Sequence, residues 1–332
     1  MTATKAQGPA PAETLAAGRA VAAPTAEAAA ARDPDVLAAY PPVDASKSAR
    51  AAPAVKPARV ADPGAAPPIV EASVLDEGAD VDPPEDASAA LAVHALGRTD
   101  PGKRRKDNED SLLVLEGKNV FVVADGMGEH GGQRASGLAV ETIAEAFEHA
   151  CFDAAPHDGV PLAASELARA IQMANVAILR EANERPELKG MGSTLTAARL
   201  TAGARRLYVG HVGDGRCYRL RDGVMKQLTT DHTMSDYGVA GPEGTHLSRV
   251  LGAWPTVAVD VIVAEPRAGD VYLLCTDGLT KMIPDGTIAT QLLHEEDPKA
   301  ALERLVFFAN AHGGKDNITA ILLRVVAAAP PG

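Results

Sequence analysis

Phe121-Val-Val-Ala-Asp-Gly-Met-Gly128 decides how this chain folds: an unbroken apolar run of β-forming residues ends abruptly in Asp125-Gly126. The pattern recurs at Val271-Tyr-Leu-Leu-Cys-Thr-Asp-Gly278, where the acid is Asp277. Further on the order is reversed, and Gly313-Gly-Lys-Asp-Asn317 opens the apolar run Ile318-Thr-Ala-Ile-Leu-Leu323. A fourth acidic cluster, Arg105-Lys-Asp-Asn-Glu-Asp110, stands before the first run. A carboxylate at the end of a buried strand is costly unless its charge is used. Several such ends meeting at one edge of a sheet make an oxygen-rich pocket. Hard divalent cations want that ligand set, Mg²⁺ or Mn²⁺ rather than Zn²⁺.

Outward from these runs, alternation predicts strands over 91–97, 111–115 and 119–124, the last two as a hairpin turning at Glu116-Gly-Lys118. Helical spacing follows over 134–150, with Leu138, Ile143, Ala146 and Phe147 on one side. It recurs over 161–183, with Leu167, Ile171, Ala174 and Ile178 three or four apart. Strands are expected at 193–200, 206–212, 216–220, 257–263, 270–276 and 317–326, and helices at 286–293 and 298–311. Residues 231–254 are Gly-rich and aperiodic, and a loop of that length in a compact domain is usually functional. Two strand-rich blocks around a helical pair give an α+β fold of two sheets flanked by helices.

Of the 332 residues, 1–88 are dominated by Ala and Pro and hold 13 of the 24 prolines, with Tyr40 as their single aromatic. Such a segment cannot bury enough apolar area to offset its ordering entropy, so a disordered, acidic Ala/Pro-rich tail is expected before a domain at 89–327. A net charge of −12 argues against a nucleic-acid partner. Cys151, Cys217 and Cys275 show neither metal spacing nor a disulfide framework, which points to a reducing cytoplasm. Neither a signal peptide nor a membrane span is legible.

In order and spacing, the chain over about 90–326 resembles the metal-dependent Ser/Thr protein phosphatases of the PPM, or protein phosphatase 2C, type in their bacterial form. The motifs are Arg105-x-x-Asn-Glu-Asp-Ser111, Ala124-Asp-Gly-Met-Gly128, Gly192-Ser-Thr194, Val212-Gly-Asp214, Thr230-Asp-His-Thr233, Leu251-Gly252, Cys275-Thr-Asp-Gly-Leu279 and Gly314-x-Asp-Asn-Ile-Thr319. The resemblance implies a four-layer α-β-β-α sandwich of two antiparallel sheets. It implies hydrolysis of phosphoserine and phosphothreonine by two Mn²⁺ or Mg²⁺ ions that activate water. Asp125 would bridge the ions, the Gly126 carbonyl would bind one, and Asp277 and Asp316 would complete the shell of the second. Asp214 would share a third, weaker ion with Asp277. Glu109 and Asp110 would hold metal-bound waters, Arg105 would hold the phosphate, and Asn317 and Thr319 would orient the Asp316 loop. The implied partners are phosphoprotein substrates and a Ser/Thr kinase acting on the same targets, with the chain a monomer. In this family the 231–254 region is a mobile flap beside the pocket, so here it is expected to shape access for phosphoprotein substrates and to carry no direct metal ligand.

The chain departs from the family pattern in three places. Residues 125–133 are one residue shorter than usual and carry Glu129 and Gln133; Gly215 replaces a usual Ser; and Met127 stands where eukaryotic members have a His. His130 is either a substitute general acid or an exposed loop residue. Two functional readings follow, an active phosphoprotein phosphatase and a catalytically weak relative that binds phosphoproteins. Retention of Arg105, Asp125, Asp277 and Asp316 together favours the first.

Overall fold

The computed structural model describes residues 72–73, 91–152 and 160–328. All of them fall within one compact unit, Val55–Gly332. The expected tail lies outside the described residues, except that Ala72–Ser73 form a short strand, β1.

The order continues with β2 (Leu91–Asp100), β3 (Asp110–Leu115), β4 (Val120–Met127), α1 (Gly132–Glu148) and α2 (Leu162–Glu184). Next come β5 (Gly192–Ser193), β6 (Leu195–Leu200), β7 (Leu207–Val212), β8 (Arg216–Arg221) and β9 (Val224–Gln227). The chain closes with β10 (Asp260–Ala264), β11 (Val271–Cys275), α3 (Asp277–Thr280), α4 (Asp285–His294), α5 (Pro298–Ala311) and β12 (Ile318–Ala327). One sheet runs β1-β10-β7-β6-β4-β3 with β5 beside β4, and the other runs β2-β12-β11-β8-β9. Pairing is antiparallel throughout except for β1 with β10.

Strand side chains alternate between faces, and both faces here are covered, which is why the strands read as continuous apolar runs. Val120, Val122 and Ala124 pack under Ala135, Ala139 and Ile143 of α1 and Leu167, Ile171 and Ile178 of α2. Phe121 and Val123, one residue out of step, face Tyr272, Leu274, Ile321 and Leu323 of the other sheet. Leu273 and Cys275 point the opposite way, onto Leu302, Leu305 and Ala309 of α5 and Ile288 of α4. Three apolar layers between four layers of elements make the α-β-β-α sandwich.

The helices sit where their periodicity places them, to within two residues at each end. The expected strand at 193–200 breaks between β5 and β6, β9 was not foreseen, and β10 begins three residues later than its alternation suggested. Residues 231–254 are less free than expected. They contain 3₁₀ turns at Met234–Tyr237 and Pro242–Thr245, and isolated bridges join Thr233 to Leu247 and Ser193 to Leu251. Gly252 N–H donates to the buried Asn175 Oδ1 at 2.8 Å, which pins the end of the segment to α2.

Candidate active site

Five aspartates from five strand ends or turns meet at one edge of the sandwich. Asp110 and Asp125 are direct cross-strand partners on β3 and β4. Asp277 follows β11 and opens α3, so it is the first residue of a helix rather than the last of a strand. Asp316 precedes β12, and Asp214 lies in the turn between β7 and β8. Gly278 is required at the start of α3: a Cβ there would stand 1.9 Å from the Asn317 carbonyl. A Cβ on Gly126 would likewise meet the Gly132 carbonyl at 1.9 Å, so glycine lets β4 lie close under the start of α1.

Threonine and asparagine side chains lock the edge together. Thr276 donates its hydroxyl to Asp110 Oδ2 at 2.8 Å, joining the end of β11 to the opposite sheet. Thr276 N–H donates to the Thr319 carbonyl at 2.9 Å, and Thr319 N–H donates back to Thr276 Oγ1 at 3.1 Å. Asn317 accepts from Glu109 N–H at 2.8 Å and donates to the carbonyls of Pro101 and Asp107, each at 3.0 Å. The bonds of Asn317 therefore hold the Arg105–Glu109 loop onto β12, a wider task than steadying Asp316. Ser136 of α1 donates to the Glu109 carbonyl at 2.5 Å.

Crowding five carboxylates makes their charges costly. Burial, then the charges of Asp277, Asp110, Asp316 and Asp214, push Asp125 well above the usual carboxylate range. Burial raises Asp110 to about 7, with Asp277 and Asp316 adding to the effect and Thr319 and Thr276 opposing it. Asp214 is raised to about 6 by burial and Asp277, against the pull of Lys281. Glu109 is raised by burial, with Arg105 opposing. Two oxygens, Asp110 Oδ1 and Asp277 Oδ1, are buried with no hydrogen-bond partner. A buried acceptor left unsatisfied is expensive, and a cation satisfies it.

Two basic side chains flank the cluster. Arg105 donates from Nη2 to Asp316 Oδ2 at 2.8 Å and lies 3.8 Å from Glu109 Oε2. Its side chain is about half exposed (48%), so the guanidinium faces both the acids and solvent. Lys281 Nζ pairs with Asp277 Oδ2 and reaches Asp214 Oδ2 at 3.3 Å. Among the described residues, no group of three or more His, Cys, Asp or Glu side chains is placed, as the side chains stand, to hold a metal ion. The donor set is nonetheless all oxygen, and its two unpartnered atoms lie inside it. It fits hard divalent ions.

Of the residues expected from sequence, Arg105, Glu109, Asp110, Asp125, Gly126, Asp214, Asp277 and Asp316 all lie in or beside this edge. His130 and Glu129 are exposed on the loop before α1. Cys217 and Cys275 are fully buried, and burial pushes the Cys217 thiol up to about 12, which removes it as a nucleophile. Lys281 was missed, although Asp277 and Lys281 stand at the i,i+4 spacing of a helical ion pair.

Also missed was the pairing of two buried histidines behind Asp214, although His232 belongs to the motif Thr230-Asp-His-Thr233. His232 N–H donates to the Gly213 carbonyl at 2.7 Å, and His232 Nδ1 accepts from Gly213 N–H at 3.1 Å. Its proton must then be on Nε2, which donates to Asp260 Oδ2 at 3.0 Å. Burial works against the Asp260 charge, but His232 and Arg249 together draw that carboxyl down to about 2. The clamp fixes the turn that presents Asp214. His211 stacks on His232 at 4.6 Å, and burial followed by the neighbouring His232 lowers it to about 3. The Thr230 carbonyl, 3.1 Å away, can only accept, so His211 Nε2 carries the proton and Nδ1 accepts from Thr196.

A pH effect on stability follows. The unfolded chain protonates His211 near 6.5 and the native state only near 3, so stability falls as pH drops through that window. The slope from this residue is about 1.4 kcal/mol per pH unit. Chemical denaturation at pH 7.5 and 5.0 should show wild type losing about 2 kcal/mol more than His211→Gln. Equal losses would mean that His211 titrates normally in the native state.

The match to known proteins spans the segment that carries these residues. The family model described as protein phosphatase 2C matches residues 102–322. The serine/threonine phosphatase stp of Listeria innocua is 34% identical over 250 residues, covering 70% of this chain and 95% of that protein. The serine/threonine protein phosphatase PstP of Mycobacterium tuberculosis is 38% identical over 251 residues, covering 72% of this chain and 46% of that protein. The crystal structure of the PstP catalytic domain in complex with 2 manganese ions superposes with a TM-score of 0.60 at 35% identity, covering 71% of this chain and 99% of that one. The chain belongs to the protein phosphatase 2C family and is a metal-dependent serine/threonine phosphatase of the bacterial type. Among the described residues no helix is long and apolar enough to cross a membrane.

Proposed function

We propose that the aspartate edge holds two divalent ions, Mn²⁺ or Mg²⁺, and hydrolyses phosphoserine and phosphothreonine in proteins. The observation that carries this reading is the pair of buried, unpartnered oxygens, Asp110 Oδ1 and Asp277 Oδ1, within a cluster of five aspartates. The manganese-bound PstP catalytic domain supports it. Asp125, Asp277 and Asp316 would hold the ions with the Gly126 carbonyl, and Asp110 and Glu109 would hold water beside them. When bound, such ions supply a water acidic enough to attack phosphorus and the charge that steadies the attacking and leaving oxygens. Arg105 grips the non-bridging oxygens; its planar fork matches a phosphate. The buried thiols leave no cysteine nucleophile in this edge, in keeping with direct attack by water and no phospho-enzyme. The substrates are proteins phosphorylated on Ser or Thr, and a bacterial Ser/Thr kinase is the opposing activity.

The test is release of inorganic phosphate from a phosphothreonine peptide in Mn²⁺, with acid quenching of a ³²P-labelled reaction. Turnover without protein-bound label supports the reading; a trapped phospho-protein contradicts direct attack by water. Arg105→Ala should lower kcat/KM about ten- to hundredfold, the worth of one charge-assisted contact of roughly 1.5–3 kcal/mol. Mn²⁺ affinity should be retained. Unchanged kinetics would move phosphate binding to another base of Lys103-Arg-Arg-Lys106.

A further inference from the structure

We propose that Lys281 is a tethered cation that takes the place of a divalent ion between Asp214 and Asp277, so that the centre loads two ions and not three. The proposal rests on the metal-centre reading above.

The placement is built into the backbone. Lys281 N–H donates to the Asp277 carbonyl at 2.8 Å, closing the turn of α3 that brings its side chain back over Asp277. The ammonium then spans two carboxylates from separate elements, Asp277 Oδ2 on α3 and Asp214 Oδ2 in the β7–β8 turn. That turn is itself fixed by the two hydrogen bonds between Gly213 and His232. The neighbouring bases are committed elsewhere: Arg216 to Asp231 and Asp285, and Arg105 to Asp316. Lys281 is therefore the positive charge that serves Asp214. It also divides Asp277 into two roles. Oδ2 is engaged by the lysine, while Oδ1 is buried and without a partner, available to an ion shared with the other acids. A divalent ion between Asp214 and Asp277 would have to displace the ammonium or sit against its charge. A tethered cation cannot be diluted away, so the Asp214 side of the pocket is neutralised at any metal concentration.

The experiment counts bound Mn²⁺ per chain by native mass spectrometry and isothermal titration on the full chain. Wild type and Lys281→Arg should each bind two ions. Lys281→Gln should bind three, and Lys281→Gln combined with Asp214→Asn should return to two. Asp214→Asn alone should leave the count at two, which keeps the test open should Lys281→Gln fail to fold. Three ions on wild type, or an unchanged count and affinity in Lys281→Gln, overturns the proposal. A wild type that binds no Mn²⁺ overturns the metal-centre reading itself.

Discussion

Replacing Asp277 with alanine should reduce phosphoester turnover by about 10²–10³-fold or more, the scale seen when a preorganised charge-stabilising group is removed. Asp316→Ala should do the same. On the proposed reading each change takes an ion ligand from the cluster. The fold should survive both. Asp277 is only 8% exposed, one of its oxygens has no partner, and its charge raises the cost of ionising Asp125, Asp110 and Asp214. Removing such a group relieves repulsion as well as deleting the pairing with Lys281. The melting temperature of the chelated variant should therefore stay level with chelated wild type or rise above it. Circular dichroism and calorimetry beside the assay check both halves. A variant that keeps activity would take Asp277 out of the metal centre, and one that unfolds would make it structural.

Chelation is expected to have the largest effect. Dialysis against EDTA should abolish turnover of p-nitrophenyl phosphate and of a phosphothreonine peptide alike, and Mn²⁺ or Mg²⁺ should restore it. Stability should follow metal concentration, because an ion that binds the native state alone stabilises it by mass action. A hundredfold excess over the dissociation constant is worth about 2.7 kcal/mol per site. Asp277→Ala should lose most of this shift. Full activity in EDTA would sink the metal-dependent reading.

The site was legible to the extent that its chemistry sits at the ends of periodic runs. Phe121-Val-Val-Ala124 and Val271-Tyr-Leu-Leu-Cys275 announce buried strands, so the acids that end them stand out as uses of charge. The two long helices carry apolar positions three and four apart and lie where that spacing puts them. What stayed hidden depends on contacts between distant residues. Thr276 reaches Asp110 across 166 positions, and Asn317 holds the carbonyl of Pro101 across 216. His232 acts through the backbone of Gly213, and no local pattern encodes that pairing. Residues 231–254 read as a free loop because their order comes from isolated bridges and end anchors rather than from periodicity. Lys281 is a different case: its spacing from Asp277 is local, and only the reach to Asp214 required the fold.

Whether this aspartate edge is a two-ion centre is decided by anomalous diffraction at the manganese edge, from crystals grown with Mn²⁺. Two peaks are expected among the carboxylates of Asp125, Asp277 and Asp316 and the Gly126 carbonyl, with Lys281 still on Asp214. A single peak, or manganese elsewhere, as on His211, His232 and Asp260, would contradict the account.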